Sequence, residues 1–188
     1  KKTEVPNLVG VLGQTQDAAI TALAHGATVT SSKDVNEEGN AVKKSVTVAL
    51  TAEPADSRSG TPTVYLGLDA DGKVIQAGYS AATASLGYGS LSFADAVKNE
   101  HIVEKTLREA GVNVTDGSAK LPSDKTSYST YASDGTTLVK ENCSFNGTVD
   151  INGAAHTWSS VLMYDYSTAN ASGNLADTVR IIYIYINA

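Results

Sequence analysis

Apolar positions along the chain follow two periods. Ala18, Ala19, Ala22 and Leu23 recur at helical spacing with Ile20 beside them, so Gln14 to Leu23 reads as a short helix, stopped at Gly26. Ala27 to Thr30 reads as a short strand, and the polar stretch Ser31 to Asn40 as a loop. Val46, Val48 and Leu50 alternate, which makes Ser45 to Thr51 a strand. Thr63 to Leu68 and Lys73 to Tyr79 flank Asp69-Ala70-Asp71-Gly72, a hairpin turn in which glycine supplies the positive φ. Ala81 to Ser90 is a connection rich in small residues.

Ser92-Phe93-Ala94-Asp95 has the form of a capping box and opens the main helical region. Its apolar stripe falters at Asn99-Glu100, where Asn99 is placed to cap a second helix. Ile102, Val103, Thr106, Leu107 and Ala110 then resume and Gly111 ends the run, so the region is either one kinked helix or a short helix followed by a longer one. The remainder alternates as a meander: 126–132, 136–145, 148–151, 155–166 and 178–187, with Asn146-Gly147 and Asn152-Gly153 among the separators and a polar loop from Ser167 to Asp177. The last strand is apolar on both faces. Val179, Ile181, Tyr183 and Tyr185 share one, and Ile182, Ile184 and Ile186 the other, which predicts a central strand covered on both sides. Leu107, Val103, Val161, Met163, Ile182 and Ile184 are the expected core.

Residues 55–62, with a proline, a glycine and small polar side chains, read as a linker between an N-terminal unit, 1–54, and a larger domain, 63–188. The fold class is α+β, a helix packed on an antiparallel sheet.

Composition narrows the function by exclusion. The 188 residues carry a net charge of −6, without the basic footprint of a nucleic-acid binder. One cysteine permits neither an internal disulfide nor a cysteine zinc site. No apolar run approaches the length of a membrane span. The chain opens at Lys1 without methionine and is rich in Ser, Thr, Asn, Gly and Tyr. The expectation is an extracytoplasmic protein whose membrane contact is at most a removed leader or anchor.

Candidate chemistry is sparse. Gly78-Tyr79-Ser80-Ala81-Ala82 loosely follows a nucleophile elbow, which would make Ser80 a hydrolase nucleophile, but the residues after it form a poor helix. His25, His101 and His156 are scattered without ligand spacing, so no metal is expected. Asp69 to Gly72 lacks the glycine and glutamate positions of a calcium loop. Cys143 reads as a buried, inert thiol. No motif calls for a cofactor. Tyr164, Tyr166, Tyr183 and Tyr185 recur two apart, as strand patterning or as a contact row. Lys43 and Lys44 are the candidate contacts for an anionic polymer.

Glu4-Val5-Pro6-Asn7-Leu8-Val9-Gly10, the helix Gln14 to Leu23 and the strand Lys43 to Leu50 together resemble a PASTA domain over residues 4–52. The chain departs from that family in extra residues before the helix and in lacking its Gln-x-Pro-x-x-Gly stretch. The resemblance implies a small βαβ-type unit, outside the membrane, associated with peptidoglycan or another envelope component. A helix ending Leu107-Arg108-Glu109-Ala110-Gly111-Val112 ahead of a meander is similar in layout to PepSY-type domains, which implies a small secreted or regulatory module. The expected function is therefore a non-enzymatic cell-envelope binding or interaction module of a bacterial surface protein. The alternatives are a structural spacer or regulatory domain of a larger anchored protein, and a hydrolase using Ser80.

Overall fold

The computed structural model describes residues 2–188; Lys1, the first residue of the expected N-terminal unit, lies outside the described residues. Among the described residues the chain forms four α-helices and eight strands, the strands joined in one antiparallel sheet. The order of elements is α1 (Gln16–Leu23), β1 (Ala27–Asp34), β2 (Lys44–Leu50), β3 (Thr63–Leu68), β4 (Val74–Ala82), α2 (Phe93–Lys98), α3 (Ile102–Glu109), β5 (Ser129–Tyr131), β6 (Leu138–Ile151), β7 (Ala154–Asp165), α4 (Ser167–Ser172) and β8 (Val179–Asn187). Across the sheet the strands run β1-β2-β3-β4-β8-β7-β6-β5. Two four-stranded meanders, each preceded by helix, thus meet through their last strands, β4 and β8. Residues 51–62, linker-like by composition, connect β2 to β3, which pair directly from Lys44–Leu68 to Ala49–Thr63.

Local chemistry accounts for the turns and caps. Asp69 Oδ1 accepts from the backbone N–H of Asp71 and Lys73, each at 2.9 Å, and closes the β3–β4 hairpin. Thr15 Oγ1 accepts from Ala18 N to open α1, and Ser92 Oγ from Asp95 N to open α2. Asn99 closes α2 by donating its N–H to Asp95 O and does not cap α3. That cap is His101, held at φ +51° without a side-chain capping bond. Ahead of α1, Leu8 N and Val9 N donate to Ala110 O, so the N-terminal segment is braced on the end of α3. Outside the named strands this segment touches the sheet through the Thr15–Lys73 bridge.

Three readings are corrected by the sheet. Asn146-Gly147 is not a turn: β6 runs through it to Ile151, and the turn is Asn152-Gly153, at φ +52° and +83°. Gly147 faces Trp158 across the β6–β7 pair, and a β-carbon there would stand 2.7 Å from the indole ring. Ser31 to Asp34 belongs to β1, and the polar stretch after β7 contains α4.

One face of the sheet carries the core. Val46, Val48, Leu66, Tyr79, Trp158, Leu162, Tyr164, Ile182, Ile184 and Ile186 join Leu23, Phe93, Ile102, Val103 and Leu107 from the helices in a single buried cluster. Val161 and Met163 are not part of it. They alternate with Leu162 and Tyr164, so their side chains stand half-buried on the opposite face. For the same reason β8 is central but covered on one side: Val179, Ile181, Tyr183 and Tyr185 are half-buried and lie outside the cluster.

Candidate functional site

The face opposite the helices carries the alternate side chains of the central strands, those left out of the core. Register sets its rows. Thr47, Tyr65, Gly78, Tyr185 and Ser159 lie side by side, and next to them run Ala49, Thr63, Ser80, Tyr183 and Val161. A third row is hydrogen-bonded: Gln76 Nε2 donates to Asn187 Oδ1 at 2.9 Å, and Asn187 Nδ2 to Thr157 Oγ1 at 3.0 Å. In β2, β3, β4 and β8 the residues of this face from Ser45 to Asn187 include no Asp, Glu, Lys or Arg; the charged residues of the face stand at its margins, Lys33 at one rim and Lys140, Asp150 and Asp165 at the far ends.

The tyrosines are held by small neighbours. A β-carbon on Gly78 would stand 2.4 Å from Tyr185 Cδ1, so the ring lies across a position that only glycine leaves open. Tyr65 and Tyr185 face each other with ring centroids 6.2 Å apart. Tyr65 Oη and Ser80 Oγ share a hydrogen bond of 2.9 Å. Thr63, Tyr65, Ser80, Ile181 and Tyr183 line a shallow depression of about 90 Å³, walled at one end by residues 59–61. Partial burial, then the neighbouring tyrosines, push the Tyr183 and Tyr185 phenols above their ordinary range, so both stay neutral donors at any physiological pH. The face can therefore offer aromatic planes, hydroxyls and amides without a net charge.

Ser80 sits within β4, not at a turn into a helix, and its partner is the Tyr65 phenol. The histidines have other neighbours. His25 Nδ1 is 3.6 Å from Glu53, His101 Nδ1 is 3.7 Å from Glu104, and His156 Nδ1 shares a hydrogen bond with Asn187 O. Glu104 is fully buried, and its Oε2 accepts from Gly117 N and Ala119 N, a clasp on the loop after α3. Among the described residues no three His, Cys, Asp or Glu converge as a metal ion requires. Cys143 is half-buried, and burial raises its thiol pKa. Lys43 is exposed, and Lys44 opens β2 on the same side as Val46, away from the tyrosine rows. Because β2 pairs with both β1 and β3, the lysines do not guard a sheet edge.

Reading the chain picked out Ser80, Tyr183 and Tyr185 but not Tyr65, and it met Gly78 as part of the elbow-like string rather than as the seat of a tyrosine ring. The signal for both is the cross-strand register, which brings together residues more than a hundred positions apart. No helix among the described residues is long and apolar enough to cross a membrane. No family model, no curated protein and no solved structure matches the chain.

Proposed function

We propose that this chain is a non-enzymatic recognition module that binds a neutral, hydroxyl- and amide-rich glycan of the bacterial envelope on the open face of its sheet. The observation that carries this reading is the uncharged group of Tyr65, Tyr183 and Tyr185 in two adjacent rows of the central strands, flanked by Ser, Thr, Gln and Asn. Tyrosine planes stack on sugar rings with little loss of side-chain freedom, and the flanking amides and hydroxyls match hydroxyl groups. In this reading the chain works outside the cytoplasm, and the resemblance of residues 4–52 to PASTA domains supports peptidoglycan as the partner. The Lys43–Lys44 pair lies off the contact.

The test is chemical-shift mapping and calorimetry with neutral N-acetylglucosamine oligomers, beside free stem peptide. The expected affinity is in the micromolar to millimolar range, roughly −8 to −4 kcal/mol. It should change little with salt, because no charge is engaged. Tyr183→Ala should weaken it about tenfold or more, as for a central aromatic contact. Absence of shifts on the tyrosine rows at millimolar oligomer would leave the spacer role in its place. Binding of stem peptide alone would make the partner a peptide.

A further inference from the structure

Beside β8, where residues 53–62, the connection after β4 and the segment after α4 come together, lies a cavity of about 500 Å³ lined by none of the tyrosines of the open face. Arg180 lines it, and its Nε has no hydrogen-bond partner that would commit the guanidinium elsewhere.

The neighbouring charges are already committed. Arg58 is bound to the Asp177 carboxylate. Asp56 Oδ2 accepts from the backbone N–H of Arg58 and Ser59 and from the Ser59 hydroxyl, so that oxygen is turned to its own loop. Arg180 is in no ion pair among the described residues. Its Cζ lies 5.1 Å from the centroid of the Tyr164 ring, which steadies the cation but supplies no acceptor to its N–H groups. An available guanidinium is a receptor for a planar anion with two oxygens, that is, a carboxylate. The charges around the mouth cancel, Arg58 and Arg180 against Asp56 and Asp177, so a monoanion on Arg180 leaves one net negative charge and a dianion leaves two, which disfavours the dianion. Ala82, Ala84, Ala176 and Leu175 form the apolar part of the wall, and Leu175 is left 67% exposed, the most exposed large apolar side chain among the described residues.

We infer that this cavity binds a small monocarboxylate bearing a short aliphatic chain, its head on Arg180 and its chain against Leu175.

The test uses the whole 188-residue chain. Butyrate, hexanoate, hexanamide and inorganic phosphate are titrated separately and followed by amide chemical shifts. Hexanoate should bind with a dissociation constant of about 1 mM or tighter and shift residues 82–84 and 175–180. Affinity should rise about two- to fourfold per added methylene from butyrate to hexanoate. Hexanamide and phosphate should bind at least about tenfold more weakly. Arg180→Gln should remove carboxylate binding. Should that variant unfold, Leu175→Asp on the exposed wall keeps the fold and should abolish the gain from butyrate to hexanoate. The inference is overturned by equal binding of hexanamide, by tighter binding of phosphate, by a folded Arg180→Gln that binds as before, by a Leu175→Asp that keeps the chain-length gain, or by shifts confined to Tyr65, Tyr183 and Tyr185.

Discussion

The two meanders share one order of elements and differ in what they contribute. In β1–β4 no strand exceeds nine residues, and β1 lies mostly exposed along its edge. In β5–β8 the middle strands stretch to 14 and 12 residues, and the β6–β7 hairpin continues past Thr157, where its pairing with β8 stops. The open face divides the same way. The first meander supplies small residues, Thr47, Gly67, Gly78 and Ser80, beside a single Tyr65; the second supplies Tyr183, Tyr185, Val161 and Met163. Two meanders whose strand order mirrors about the β4–β8 seam thus carry an asymmetric surface. One half makes the space, and the other fills it with aromatic rings.

The largest effect that can break this comparison is a cavity in the shared core. Leu107→Ala in α3 should cost on the order of 2–5 kcal/mol, and Leu23→Ala in α1 the same range. Both side chains belong to one buried cluster, so each should lower the midpoint of one cooperative denaturant transition followed by both circular dichroism and Trp158 fluorescence. Two separated transitions would show that the halves unfold independently.

Glycine–aromatic pairs sharpen the contrast between the faces. Gly147 faces Trp158 on the covered side, and Gly78 faces Tyr185 on the open one. Gly147→Ala should cost about 2–3 kcal/mol, because a buried indole has nowhere to go. Gly78→Ala should cost about 1 kcal/mol, since the half-exposed Tyr185 ring can swing outward, but it should disturb glycan binding more than Gly147→Ala does. Equal costs would mean that the open face is packed as tightly as the core.

The helix caps compare the halves on a smaller scale. Ser92→Ala and Thr15→Ala should each cost about 0.5–2 kcal/mol by equilibrium denaturation, with Ser92 the greater because its bond is 3.1 Å against 3.3 Å for Thr15. The smallest effect is local to the second half. Hydrogen bonds from Thr137 and Thr136 hold the Asp134 carboxyl at about 2. A depressed carboxyl favours the folded turn fully above its unfolded value of about 3.9, and that favour is lost as pH falls through about 2. Amide protection in the β5–β6 turn, measured against the intrinsic exchange rate at each pH, should therefore fall between pH 4 and 2, and Asp134→Asn should remove that loss of protection.

Where structure depends on neighbours in the chain, it was legible. The β3–β4 hairpin, the Ser92 cap, the break between α2 and α3 and the central place of β8 all follow from periodicity and turn chemistry. What failed depends on pairing. Asn146-Gly147 and Asn152-Gly153 are the same dipeptide, and only Trp158 across the strand makes the first a strand interior. The alternation at Val161 and Met163 was visible, but not which face the helices would cover. The candidate site fared likewise. Tyr183 and Tyr185 stand out in the sequence, whereas Tyr65, Gly78 and the unpaired Arg180 acquire meaning from strands that meet over more than a hundred residues.

The β4–β8 seam also dictates the order of events in folding. Gln76 meets Asn187 across a gap of 111 residues, and β8 is flanked on both sides, by β4 and β7. Until β8 emerges, the first meander ends in an unpaired β4 edge and the second in an unpaired β7 edge. Those are the surfaces on which partly made chains pair with one another. Closing so long a loop late makes for slow folding. Removing Val179–Asn187 would take the middle out of the sheet, leaving two open meanders prone to aggregate. Arrival of β8 is the single step that closes both edges at once.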